Sequence, residues 1–341
     1  MEKRAYLPSV TFIRGIAAFS VCLFHFTKGF ISEISGPIQF APYAWVGVEV
    51  FFVVSGFVIP YYLLDTKFKT KHYGGYLIKR IIRIEPAYLV SIALVIGLNY
   101  VSSLFTIYKG EPFSVSGNQL LLHLGYLIDF FDGTWLNPVY WTLAIEFQYY
   151  IVIGFLIILW NKNIRYLTIL SVLLFLALSF IPQHDVKFFR HTDIFTIGIV
   201  CAFYKIGHLR KSYYLLAVIA LGIIIYIHHN TVITVLSLIA TLGIAFFNQK
   251  KKIAWLVFLG NISYSLYLTH VPIGGRVINL SKRFALNEFN KLLVILLAIV
   301  VSIVAAYIFY ILIEKPSHRW SKSIKFRDSL NESEKVTGKT N

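Results

Sequence analysis

Apolar runs close to 20 residues long recur along this chain, separated by short polar segments rich in Lys and Arg. At 1.5 Å per residue, about 20 helical residues cross a hydrocarbon layer ~30 Å thick. The pattern predicts ten helical spans, at roughly 8–30, 45–64, 84–104, 137–160, 165–182, 191–205, 212–229, 231–248, 253–274 and 291–314. The expected fold is therefore all-α, a polytopic membrane helical bundle. No internal repeat interrupts it. The longest connection, 105–136, contains a short apolar piece at 119–131 that suits a re-entrant or interfacial helix better than a span.

The basic residues give the bundle a direction. With ten spans, 23 Lys and Arg fall in segments on the N-terminal side, eight on the opposite side, and Arg14 inside a span. Basic loops stay in the cytoplasm, so both termini are expected there. An odd number of spans would break the alternation. The leading MEKR before an apolar run resembles a secretion signal, but Arg14 interrupts that run and no small-residue cleavage site is clear, which favours an uncleaved span.

Composition agrees. Of 341 residues, 57% are hydrophobic and 14% charged, against about 25% charged in soluble domains. Mean hydropathy is +0.69. The net charge of +16 is accounted for by loop orientation, so nucleic acid is not an expected partner; membrane lipid is. Cys22 and Cys201 both sit in apolar runs, which excludes a disulfide framework or a Cys-based metal site. The chain divides into a membrane domain, 1–316, and a polar tail, 317–341, expected to be disordered towards its end. Chemistry has to sit among the helices.

Two polar side chains stand out in the first span, VTFIRGIAAFSVCLFHFTKGF. Arg14 and His25 are eleven positions apart. At about 100° per residue they share one helix face and differ in depth by ~16 Å. Ionisable groups at that depth face a bundle interior or a wet cavity, although an interfacial Arg and a core His would satisfy the same pattern. In the second span, GVEVFFVVSGFVIP, Glu49 lies near the outer end, and Ser55 with Gly56 permits close approach of another backbone. In KRIIRIEPAY, Arg80 and Arg83 are three apart and neighbours on one face; paired guanidinium forks suit phosphate, and equally suit cytoplasmic anchoring. Glu85 could pair with either.

Glu146 lies inside the fourth span, where a lone carboxylate needs a cationic or hydrogen-bonding partner. Trp141 and Trp135 nearby suit stacking on a sugar or an interfacial aromatic belt. His270 lies near the outer end of the ninth span, as a ligand or as a solvated interfacial His. His228 and His229 occupy a short outer turn and read as solvated. YILIEKPSHRW reads as a helix end with charged anchors. No nucleotide-binding loop, zincin motif or esterase elbow occurs.

Six pieces in register resemble the acyltransferase 3 family of bacterial membrane proteins: RGIAAFSVCLFHF, FFVVSGFVI, KRIIRIEPAY, VYWTLAIEFQYY, GNISYSLYLTH and the terminal IEKP. The resemblance covers about 8–316. It implies a protein of about ten spans in the bacterial inner or plasma membrane, a stand-alone form without the hydrolase-like domain of some members. It implies transfer of an acyl group, usually acetyl from acetyl-CoA and without a metal, to a hydroxyl of an exported or surface carbohydrate: polysaccharide, lipopolysaccharide or lipid-linked glycan. By the same resemblance His25 and Arg14 match a first-span catalytic pair, Arg80 and Arg83 an RxxR donor site, and Glu146 the glutamate of WxLxxE. Glu85 departs from the pattern, where a bulky residue is expected before Pro86. Trp141, Glu49, Ser55 and His270 are the candidates for binding substrate. His25 is the expected general base or acyl carrier. Arg14 would stabilise the thioester oxyanion or hold the donor's arm, and Glu146 would orient His25 or hold the sugar. The rival reading is a transporter or flippase of a glycan or small metabolite, for which intramembrane Arg, His and Glu are equally apt. Against it, no matched pair of Gly/Pro-broken spans marks two halves.

Overall fold

The structure is a computed structural model describing residues 7–28, 30, 36–64, 68–105, 113–131, 133–162, 164–181, 187–247 and 253–324. Backbone amides in hydrocarbon must bond within their own segment, and every regular element described is helical. In order these are α1 (Pro8–Thr27), α2 (Gly47–Leu63), α3 (Tyr73–Ser103), α4 (Gly117–Leu124), α5 (Trp141–Lys162), α6 (Ile164–Ser179), α7 (Lys187–Arg190), α8 (Thr192–Ile206), α9 (Lys211–His228), α10 (Thr231–Phe246), α11 (Ala254–Thr269), α12 (Gly275–Ser281), α13 (Glu288–Phe309) and α14 (Lys315–Ser323). A 3-10 stretch, Gly36–Val46, leads into α2. Five-residue π turns, His270–Gly274 and Tyr310–Glu314, join α11 to α12 and α13 to α14.

Seven helical stretches among the described residues are long and apolar enough to cross a membrane. They comprise α1, α2 with its 3-10 lead, α3, α5, α9, α11 with α12, and α13 with α14. The protein is thus a multi-pass, all-helical membrane protein. The other three predicted spans correspond to α6, α8 and α10, which are shorter. α8 is the central helix: Thr192–Phe203 is buried without a break. A helix covered on every side is packed against neighbours all round.

Two backbone contacts set the bundle. A Cβ on Gly56 would lie 2.2 Å from the Phe195 carbonyl oxygen, and one on Gly198 would lie 2.2 Å from that of Val53. α2 and α8 therefore touch main chain to main chain, the close approach that small residues allow in membranes. α1 and α11 meet the same way, since a Cβ on Gly260 would lie 2.2 Å from the Thr11 carbonyl oxygen.

Helix ends depart from the sequence expectation in two places, while the outer connection holds a short helix as expected. α3 begins well before residue 84, so Arg80 and Arg83 lie within a 31-residue helix rather than at its start. The outer connection folds as α4, capped by Ser116, whose hydroxyl accepts the Gln119 N–H, and a 3-10 turn at Ile128–Phe130. The last span continues through α14, where the Ser321 hydroxyl donates to the Lys79 carbonyl, 2.7 Å. The expected tail thus opens with a packed helix; 325–341 lies outside the described residues.

The α2–α8 contact carries the first prediction. Gly198→Val forces a branched side chain onto the Val53 carbonyl and should cost about 3 kcal/mol or more. Gly97, with open space around its Cβ position, should tolerate Ala. Thermal unfolding of the detergent-purified protein checks both: a marked drop for the first, little change for the second.

Candidate functional site

Two adjoining cavities run down the middle of the bundle. The one on the side of the N-terminus, called the inner cavity, is about 360 Å³ and opens among Leu7, Tyr62, Ser321 and Lys322. The outer one, about 90 Å³, reaches up to Val48, Thr142 and Tyr267. Arg14, Val58, Arg83 and His318 line both, so the two share a wall. The lining of α2 extends from Val48 to Tyr62, which is ~21 Å of helix at 1.5 Å per residue.

The polar residues that stood out in the sequence converge here. Arg14 on α1, Ser55 on α2, Arg80 and Arg83 on α3, and Glu146 on α5 all line the outer cavity. Arg80 is held between two rings, its guanidinium carbon 5.5 Å from the Tyr76 centroid and 5.4 Å from that of Tyr150. Tyr76 finds room because position 154 is glycine; a Cβ there would lie 2.6 Å from the Tyr76 ring. The Tyr76 hydroxyl donates to the Tyr150 carbonyl, 3.2 Å, which ties α3 to α5. Stacked between aromatic faces, a guanidinium keeps its donors for an anion.

Glu146 has hydrogen-bonding partners, as a carboxylate at this depth requires. Ser55 Oγ donates to its Oε1 at 2.7 Å, and the Tyr150 hydroxyl donates to the same oxygen. Glu85 meets the Tyr126 hydroxyl. It points into the outer connection rather than onto the arginine pair.

A second carboxylate in the cavity, Glu314, was read only as part of a charged helix end. It is 1% exposed. Its Oε2 accepts the Ser265 N–H at 3.1 Å and the Ser265 hydroxyl at 2.5 Å. Its Oε1 lies 3.5 Å from His318 Nε2. Arg14 and Arg83 lie within electrostatic reach. The π turn Tyr310–Glu314 rotates this side chain inward, a local geometry that a regular helical period does not show. The signal available in the sequence was IEKP, one of the six matching pieces.

The remaining candidates lie elsewhere. His25 is half-buried and lies outside the lining of both cavities. Its ring stands 5.2 Å from that of His270, centroid to centroid. Far from being solvated, His270 is completely buried. Tyr267 links the two regions: it lines the outer cavity and its ring is 6.0 Å from His270. Glu49, 3% exposed, faces α8 instead of the cavity, with Oε2 3.1 Å from His191 Nδ1. Trp141 sits at the outer end of α5 with its ring 6.0 Å from both His191 and Lys187 Nζ, while its neighbour Thr142 takes the place on the cavity wall. The Trp135 indole donates to Asp129, 3.0 Å, which also receives Lys187 at 2.7 Å. His228 and His229 are not solvated either: both reach the buried Asp193 carboxylate, at 3.1 and 3.2 Å. Among the described residues no group of three or more His, Cys, Asp or Glu is placed to hold a metal.

Comparison with known proteins fits this geometry. The O-acetyltransferase OatA of Staphylococcus aureus is 23% identical over 319 residues, covering 80% of this chain and 51% of that protein. An uncharacterized protein of Haemophilus influenzae is 30% identical over 165 residues, covering 42% of this chain and 64% of its own length. The peptidoglycan O-acetyltransferase OatA of Listeria monocytogenes is 28% identical over 174 residues, 47% of this chain and 26% of that protein. The chain spans about half the length of the first of these relatives. No solved structure matches it. The family described as an acyltransferase domain matches residues 7–311, nearly the whole chain, and the protein therefore belongs to the acyltransferase 3 family.

Proposed function

We propose that this protein moves an acyl group, most simply acetyl, from cytoplasmic acyl-CoA to a hydroxyl of an exported or cell-surface carbohydrate. The observation that carries this reading is the pair of adjoining cavities, one reaching Lys322 and Ser321 and the other Thr142 and Tyr267, with Arg14 and Arg83 on the wall they share and Arg80 on the second. The peptidoglycan named for the Listeria relative is one carbohydrate of the acceptor class. In this reading all ten apolar helices span a bacterial inner membrane. Both termini are cytoplasmic, which the excess of Lys and Arg on the N-terminal side supports.

The donor enters from the inner cavity. Arg80 and Arg83, with Lys322 below them, hold its phosphates through charge-assisted hydrogen bonds. Arg14 and His25 differ in depth by ~16 Å, too far for both to touch one carbonyl. Arg14 therefore serves the donor's arm rather than the oxyanion. Glu146, fixed by Ser55 and Tyr150, accepts amide N–H groups of that arm. Outside the cavity lining, beside His270, His25 takes the proton of the acceptor hydroxyl. The freed oxygen attacks the thioester carbon, the C–S bond breaks, and the proton passes to the departing sulfur.

Arg80→Ala with Arg83→Ala should weaken acetyl-CoA binding at least tenfold, about 1.4 kcal/mol, by calorimetry on the purified protein. Unchanged affinity would assign the pair to anchoring. His25→Ala should bind acetyl-CoA normally and transfer no labelled acetyl to glycan in native membranes, whereas undiminished transfer removes His25 from the chemistry. Glycan that crosses the membrane without gaining label would make the protein a carrier.

A further inference from the structure

His270 opens the π turn that follows α11. Its Nδ1 lies 3.0 Å from the Leu266 carbonyl oxygen. A carbonyl only accepts, so Nδ1 carries the hydrogen, and in a neutral imidazole Nε2 is then an acceptor. That Nε2 is buried and has no hydrogen-bond partner among the described residues. Buried polar atoms are almost always paired, and an exception at a site of chemistry asks for a role.

Three side-chain rings neighbour His270, and only one of them can supply a donor. Phe26, 6.1 Å away, has none. The Tyr267 hydroxyl is committed: Thr142 Oγ gives its own hydrogen to the Val139 carbonyl at 2.9 Å, so the Tyr267 O–H donates to Thr142 Oγ at 2.7 Å. His25 remains, with centroids 5.2 Å apart and planes inclined at 55°. A ring nitrogen lies about 1.2 Å from its centroid, so two nitrogens facing along that line would be about 3 Å apart, a hydrogen bond. The terminal torsion of His is soft enough to make that turn. The spacing is fixed from behind. A Cβ on Gly274 would lie 2.2 Å from the Phe26 ring and 2.3 Å from Ser302 Oγ, so the end of α1 is seated directly on the π turn.

We propose that His270 is the positioning residue of His25: its Nε2 receives the His25 N–H and holds the imidazole with its other nitrogen presented to the acceptor hydroxyl. This rests on the reading of His25 as the base. The tautomer of a catalytic His is set by the bond its second nitrogen makes. When the hydroxyl proton arrives on His25, the N–H facing His270 becomes part of a cation and its hydrogen bond becomes charge-assisted. The same proton then leaves to the thiolate formed by C–S cleavage; His270 gains and loses none.

The test compares His270→Phe, which keeps the bulk, with His270→Gln, which returns an acceptor near the Nε2 position. Both are measured in the full-length purified protein. Labelled acetyl-CoA and native membranes give the transfer rate. Carbethoxylation of His25 by diethyl pyrocarbonate, followed by mass spectrometry, reads its availability without any turnover. His270→Phe should lower kcat roughly a hundredfold, leave acetyl-CoA affinity unchanged and slow carbethoxylation of His25. His270→Gln should recover most of both. Parent-like rates in the Phe variant, or equal losses in Phe and Gln, would overturn the proposal. Activity surviving in His25→Ala would instead overturn the function, and the carbethoxylation rates would still judge the His25–His270 contact.

Discussion

Charge held inside a low-dielectric bundle is the constraint around which this molecule is built. Arg14, Arg80 and Arg83 face one cavity with Glu146 and Glu314. An isolated charge at such a site costs several kcal/mol, and the cost falls only when opposite charge and hydrogen bonds surround it. Three of these side chains are accordingly held by a partner from another helix. Tyr76 and Tyr150 flank Arg80, Ser55 and Tyr150 hold Glu146, and Ser265 holds Glu314 from α11. The cavity is a place where α1, α2, α3, α5, α11 and α14 bring their polar groups together.

The glycine contacts make that meeting possible. α2 carries Ser55 to Glu146 on one side while its Gly56 lies against α8 on the other. α1 carries Arg14 to the cavity while Gly15, the next residue, lies against α11 with a Cβ position 2.8 Å from the Gly260 nitrogen. In each case a polar residue and a glycine are adjacent in sequence, so the residue facing the cavity and the residue setting the helix spacing cannot move independently. A change of a few tenths of an ångström in helix separation would reach the arginines directly.

What the sequence disclosed followed from contrast. Arg14, Ser55 and Glu146 were legible because each is polar within an apolar run, Arg80 and Arg83 because they pair on one helix face, and the cavity contains all five. What it concealed lay near helix ends. Glu314 sits beside Lys315 and resembles an ordinary terminus, yet the π turn and α14 carry the helix onward and bury it. His270 stands where a regular span would emerge, but the π turn keeps it inside. His228 and His229 looked like turn residues, and the Asp193 that draws them inward is 35 and 36 positions away. Glu49 was expected to bind substrate because it is acidic at the outer end of a span; its partner His191 is 142 positions away. A single sequence carries no sign of such pairings.

The two histidines and the arginine cavity are separate regions joined at Tyr267, and the separation has a physical use in the proposed reaction. A base that takes a hydroxyl proton works best as a neutral imidazole, and the cation it becomes is disfavoured close to guanidinium groups. Placing His25 about 16 Å up the helix from Arg14, beside a neutral ring rather than a carboxylate, keeps the donor's anionic end and the proton transfer from competing for the same groups. Glu146 then has no need to orient His25, and its bonds to Ser55 and Tyr150 leave it a wall of the cavity. In that reading anion binding falls to the arginines of the cavity and proton transfer to His25 beyond it, which is the order in which a cytoplasmic donor and an external acceptor would arrive.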